Sequence, residues 1–203
     1  MRKEIIINDA EQSDSPLIAE AIMEAIGEEI CKNMAGENYT LEEVRTIFTE
    51  LAEIENSQYS FRNSRVATDS AGHRMGVCVS YDGAQLIPLR RKFFEKARDV
   101  LGWDLSLDEI DTLPGETSDD EFYLDTLMVL PQYRRCGVGS ALIADAAVKA
   151  KSKGKPLGLL VDPDNERAHN LYISLGFERK GIRRFAGVDM NHLQLSVNED
   201  SMN

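Results

Sequence analysis

The sequence has no apolar run near the ~20 residues that a membrane-spanning helix requires. Its first residues, MRKEIIINDAEQ, place acids where a secretory signal would need an apolar stretch. A cytoplasmic protein is therefore expected. Cysteine is scarce. Cys31, Cys78 and Cys136 lie far apart, in no C-x-x-C pair and without histidines at metal-ligand spacing. Neither a disulfide framework nor a metal site is expected, and the thiols read as free. Positive charge is also short: 23 Lys and Arg stand against 35 Asp and Glu, a formal net charge of −12. Such a chain has no general affinity for nucleic acid or for an anionic membrane. The shortage is uneven. From Asp99 through Tyr133 there is no Lys, Arg or His, while ten acids fall in that stretch. Attraction of a cationic partner is one consequence; simple solubility is the other.

What is present suffices for one sizeable core: 203 residues, 42% of them apolar. No repeat, low-complexity tract or composition break divides the chain, so 1–203 reads as a single domain with a frayed tail at 198–203. Hydrophobic periodicity predicts strands at Glu4–Ile7, Ser60–Thr68, Met75–Tyr81, Glu121–Leu130, Leu157–Val161, Phe177–Arg183 and His192–Val197. It predicts helices at Pro16–Glu28, from Thr40 past Leu51, at Ile87–Leu101, Val138–Lys151 and Asn165–Leu175. Thr40 with Glu43 has the form of a capping box, and Gly176 suits a helix end. Cys31–Thr40 reads as a linker. Trp103–Asp120, acidic and carrying Pro114–Gly115, reads as a loop. The order of elements predicts an α/β domain with a mixed sheet covered by helices.

The informative stretch is LMVLPQYRRCGVGSALI. A buried strand ends at Leu130, Pro131 stops it, and a loop with two arginines and two glycines leads into a helix. A helix start offers unpaired N–H groups and the positive end of the dipole. Gly137 and Gly139 let an anion approach the backbone, and Arg134 and Arg135 add charge, so the loop reads as a phosphate or pyrophosphate site. Leu142 occupies the position where a dinucleotide fingerprint needs a third small residue. The Gly-Lys-Ser/Thr of a P-loop is also missing. The pattern that remains is R-x-x-G-x-G, met by Arg134, Gly137 and Gly139.

Downstream lies VDPDNERAHNLYISLGF, with Asn165, Ala168, Tyr172, Gly176 and Phe177. The two units, in this order over about Glu121–Arg179, closely resemble the GNAT superfamily of N-acetyltransferases. The resemblance implies a mostly antiparallel twisted sheet flanked by helices on both faces, with splayed central strands. It implies acetyl-coenzyme A as cosubstrate, without a metal. The pyrophosphate would lie on the amides of Arg135, Cys136, Gly137, Val138, Gly139 and Ser140, in a loop shaped by Arg134. The pantetheine arm would run beside Leu127, Met128 and Val129. An amide near Met128 or Val129 would donate to the thioester carbonyl. Asn165 would contact the cofactor, or simply cap its helix. Tyr172 would protonate the departing thiolate.

The resemblance further implies direct attack by an amine, assisted by a base. Period-two alternation puts Glu121, Tyr123 and Asp125 on one strand face, which makes Asp125 and Glu121 the candidates, Asp125 the nearer. The segment 87–120 is expected to be an insertion whose acids, Asp108, Glu109 and Asp111 among them, line a cleft for a cationic amine. The acceptor is a small-molecule or peptide amine of unspecified identity, and a homodimer is compatible with the resemblance. Two alternatives stay open: a transferase using another acyl donor, and a coenzyme A-binding sensor without catalysis.

Overall fold

A computed structural model describes residues 4–196. The expected tail at 198–203 and the last residue of the expected final strand, Val197, lie outside the described residues. Seven strands form one sheet: β1 (Ile6–Asp9), β2 (Ser64–Thr68), β3 (Arg74–Asp82), β4 (Phe122–Val129), β5 (Leu157–Val161), β6 (Glu178–Phe185) and β7 (Val188–Leu195). Their spatial order is β1-β2-β3-β4-β5-β7-β6. Every neighbouring pair is antiparallel except β4 and β5. Seven helices cover it: α1 (Ser15–Ile26), α2 (Glu28–Ala35), α3 (Leu41–Glu53), α4 (Leu86–Leu101), α5 (Leu107–Thr112), α6 (Val138–Ser152) and α7 (Glu166–Ser174).

Strand alternation divides the core between two faces. Val77 and Val79 of β3 join Ile18, Ile22, Ile47, Phe48 and Leu51 from α1 and α3. Cys78, between them, joins Leu142, Ile143, Ala146 and Tyr172 from α6 and α7. Among the described residues no helix is long and apolar enough to cross a membrane.

Three stretches differ from the sequence reading. The expected linker Cys31–Thr40 is half helix. Gly27, with φ +86°, ends α1, and α2 restarts at once with Cys31, Met34 and Ala35 turned into the core. The expected loop Trp103–Asp120 contains α5, opened by a capping box in which Ser106 accepts from the Glu109 amide. The strand expected from Ser60 begins only at Ser64, because Phe61–Asn63 makes a 3-10 turn capped by the Ser60 hydroxyl.

The functionally important feature is a gap in the sheet. β4 and β5 pair only at Phe122–Leu157 and Tyr123–Gly158. From Leu124 onward, among the described residues, the edge of β4 that faces β5 pairs with no strand. On the other edge, Val79 pairs with Thr126 and Ser80 with Leu124, so Asp125 is an extra residue bulged out of the ladder. A bulge bends its strand and increases twist, which is how β4 turns away from β5. The bulge also resets the alternation: Tyr123 and Met128, five apart, both turn toward the α1–α4 side.

Candidate active site

Pro131 begins a short 3-10 turn after β4, and the chain then makes a tight loop into α6. Arg135 has φ +63° and Gly137 φ +91°, so two left-handed residues alternate with neighbours of negative φ. Such alternation curls successive amides toward one side and makes an anion cradle. Among the described residues, no backbone or side-chain acceptor engages the amides of residues 135–140. Glycine is needed at 137 by its φ. At 139 the reason is different: an added Cβ would sit 3.6 Å from Val129 Cγ2 and 3.8 Å from Leu171 Cδ2, which is ordinary contact. Nothing inside the protein forbids a side chain at 139, so its absence keeps space open outside. Arg134 is turned away from the cradle. Its Nε donates to the Val129 carbonyl at 2.9 Å, and its terminal nitrogen pairs with Glu24 of α1 at 2.8 Å.

The register also sorts the amides of β4. The Leu130 N–H donates to the Met75 carbonyl. Residues two apart point the same way, so the Met128 amide faces β3, while those of Leu127 and Val129 face the bare edge. Of the two amides expected as donors, Met128 and Val129, only Val129 opens into the gap. The Met128 side chain is buried in the α1–α3 core.

Between the splayed strands lies a slot of about 190 Å³, lined by Asp125, Leu127, Asn165 and Tyr172 among others. Asn165 is the N-cap of α7, its side chain accepting from the Ala168 amide at 3.1 Å. Tyr172 packs on Phe177, ring centroids 5.5 Å apart, and its hydroxyl makes no hydrogen bond among the described residues. Burial pushes this phenol well above its ordinary range, so it stays protonated.

The two candidate carboxylates have separate surroundings. Asp125 accepts from the Tyr81 hydroxyl at 2.9 Å and from Thr126 at 2.9 Å. Burial, and then the charge of Glu116, raise it to about 7 against the opposing pull of those hydrogen bonds. Glu121 is fully buried. It accepts from Thr117 at 2.8 Å, from the Ser118 amide at 3.1 Å and from Gln194 at 2.7 Å, with His192 Nε2 at 2.8 Å. Burial would raise its pKa, but these bonds together lower it to about 2. Sequence alternation groups Glu121 with Asp125 as a candidate base. Structurally it is a knot tying the loop before β4 to β7 across Gly158, where the strands still pair.

A larger cavity of about 530 Å³ adjoins the slot, the two sharing Ile26, Ile30 and Phe185 as walls. The 87–120 segment does line it, but not with the expected acids. Asp111 pairs with Arg91, Glu109 caps α5, and Asp108 is exposed. The segment contributes Phe93, Phe94, Trp103, Leu113 and Glu116 instead. Glu116 was missed by sequence reasoning. It is 7% exposed, its Oε1 lies 3.5 Å from both Gln58 Nε2 and the Tyr81 hydroxyl, and burial raises its pKa. The Tyr81 hydroxyl thus stands between one carboxylate in each cavity.

A strand with an open edge, a helix-start cradle and a polar slot between splayed strands therefore adjoin one another. Residues 101–177 match the model of the acetyltransferase (GNAT) family. A solved acetyltransferase is 28% identical, with TM-score 0.70, over 95% of this chain and all of that one. An N-acetyltransferase from Staphylococcus aureus is 20% identical, with TM-score 0.72, over 94% of this chain and all of that one. A structure described as histone acetyltransferase HPA2 and related acetyltransferase, from Corynebacterium glutamicum, is 20% identical with TM-score 0.63, over 96% of each chain. No curated protein matches the sequence significantly. Over residues 101–177 the chain is thus similar to the GNAT acetyltransferases, its fold is that of solved acetyltransferases, and it is an acyltransferase.

Proposed function

We propose that the protein transfers the acetyl group of acetyl-coenzyme A to a primary amine by direct attack, through a tetrahedral intermediate. The observation that carries the reading is the continuity of six unengaged amides at residues 135–140 with the bare edge of β4 and the slot holding Tyr172 and Asp125. The cradle suits a pyrophosphate, and the amides of Leu127 and Val129 suit an extended amide-bearing arm added as a strand would be. Asn165 serves as a helix cap beside that arm. Residues 1–203 are taken as one domain, with 87–120 as its inserted acceptor wall.

Protons balance as follows. The acceptor enters as an ammonium and loses one proton to the Asp125 carboxylate, whose pKa near 7 suits a base at neutral pH. The free amine attacks the thioester carbonyl carbon, and the oxyanion is met by the Val129 amide. As the C–S bond breaks, the thiolate takes the Tyr172 proton, and Tyr172 regains one from the new C–N centre. Glu121 takes no part in this; it is a positioning residue that holds the closed end of the β4–β5 gap. A non-catalytic coenzyme A sensor would need none of this arrangement.

The test is thiol release from acetyl-coenzyme A over a panel of amines. Tyr172→Phe is expected to lower kcat by about 10²–10⁴-fold with acetyl-coenzyme A affinity unchanged. Binding without turnover by the wild type on any amine would replace this reading with the sensor.

A further inference from the structure

The acceptor cavity has a composition that the net charge of the chain does not suggest. Six rings line it, Phe185 and a group of five: Phe48, Tyr59, Phe93, Phe94 and Trp103. The five form one connected cluster, with centroids 5.3 Å apart for Phe48–Tyr59, 5.1 Å for Phe93–Phe94 and 5.9 Å for Phe93–Trp103. At about 530 Å³ it falls in the range of small-molecule sites. Its one carboxylate, Glu116, has no salt-bridge partner among the described residues. Two arginines line it as well: Arg184, exposed, and Arg90, whose charge acts on Glu116 while its terminal nitrogens donate to the carbonyls of Ile110 and Leu113, each at 2.7 Å, and of Pro114 at 3.3 Å. Glu116 is joined through the Tyr81 hydroxyl to Asp125, so the end of the cavity that wants a cation is the end next to the slot.

We infer that the acceptor is a primary amine on a short alkyl arm carrying an apolar aromatic body, the rings taking the body and the Glu116–Tyr81–Asp125 end taking the ammonium. The inference rests on the proposed function and names the acceptor of that same site. Three other amine classes fit worse. A polyamine would leave its second ammonium among the rings with no carboxylate. An α-amino acid would bring its carboxylate beside Glu116 and Asp125, where both charges are of the wrong sign. A peptide N-terminus would carry backbone amides into an apolar space with few partners. The aromatic body gains offset or edge-to-face contact with rings already held in place.

Trp103 is the single tryptophan of the chain and reports on the cavity directly. Adding 2-phenylethylamine to the wild type is expected to shift its emission saturably, while spermidine and phenylalanine at equal concentration do not. With saturating acetyl-coenzyme A, kcat/KM for 2-phenylethylamine is expected to exceed that for spermidine about 100-fold. Glu116→Gln should raise the amine KM about tenfold, with acetyl-coenzyme A affinity unchanged. Faster turnover of spermidine, phenylalanine or a tripeptide with N-terminal Phe would overturn the inference, as would cofactor binding with no amine turned over. Failure of the wild type to bind acetyl-coenzyme A in calorimetry would overturn the proposed function itself. Should Glu116→Gln not fold, the Trp103 titration on the wild type decides alone.

Discussion

On the donor side of the β4–β5 gap, the recognition we propose is by backbone. The cradle is six amides, the arm's partners are the amides of Leu127 and Val129, and the side chains there mostly brace the loop, as Arg134 does against Val129 and Glu24. On the acceptor side, the proposed recognition is by side chain: six rings, one carboxylate and a tyrosine linking it to Asp125. Backbone recognition imposes glycines at fixed spacing and leaves a motif. Side-chain recognition assembled from α2, α3, α4, a loop and the β6–β7 turn leaves no contiguous trace. One fold can therefore keep its donor fixed while the acceptor wall varies.

The comparison is strained most by Asp125, the residue that serves both sides. Its pKa near 7 means that kcat/KM for the amine should fall as pH drops through about 7, when the carboxyl takes up its proton. Asp125→Asn should lower kcat by about 10²-fold or more and flatten that limb. The same shift has a stability sign. A carboxyl raised from 3.8 to about 7 in the fold loses stability as pH rises between those values, because the buried charge is disfavoured. At pH 8 the asparagine variant should therefore melt higher than the wild type while working worse. A lower melting temperature would mean that Asp125 is a structural charge and not a strained functional one.

The next effect concerns the closed end of the gap. An added Cβ on Gly158 would lie 2.0 Å from Glu121 Oε2, within a carboxylate that is tied on every side. Gly158→Ala should cost about 1–3 kcal/mol in denaturant unfolding. An unchanged midpoint would show the Glu121 knot to be loose. The smallest effect is expected on the acids that dominate the sequence. Replacing Asp108 and Asp111 by Asn should leave the amine KM within about twofold, because surface charges are screened and neither lines the cavity. A large rise in KM would return the acceptor to the cationic cleft suggested by charge alone.

These expectations mark where the sequence was readable. The Arg134–Ser140 loop and the Asn165–Phe177 unit stood out because each lies within one short contiguous stretch. The mixed sheet and its helices followed from periodicity. The bulge was not legible, since it depends on how β3 registers against β4, and the same register decides which of the Met128 and Val129 amides faces the gap. α2 was hidden because Gly27 breaks the periodicity without ending the helical run. α5 was hidden behind an acidic, proline-bearing composition, although Ser106 and Glu109 had the spacing of a cap. Charge counting did not say which acids face the cavities. The acids between Asp99 and Tyr133 are largely spent on caps, pairs and solvent, and the two that line the cavities are Glu116 and Asp125.

The central claim is that the amides at residues 135–140 hold the cofactor's pyrophosphate. Calorimetric titration of coenzyme A into wild type and Gly139→Val tests it most directly, because an added Cβ at 139 meets only ordinary contacts within the protein, and circular dichroism checks that the variant is folded. The account predicts micromolar one-to-one binding by the wild type and loss of measurable binding by the folded variant. Equal affinity in the two proteins would contradict it.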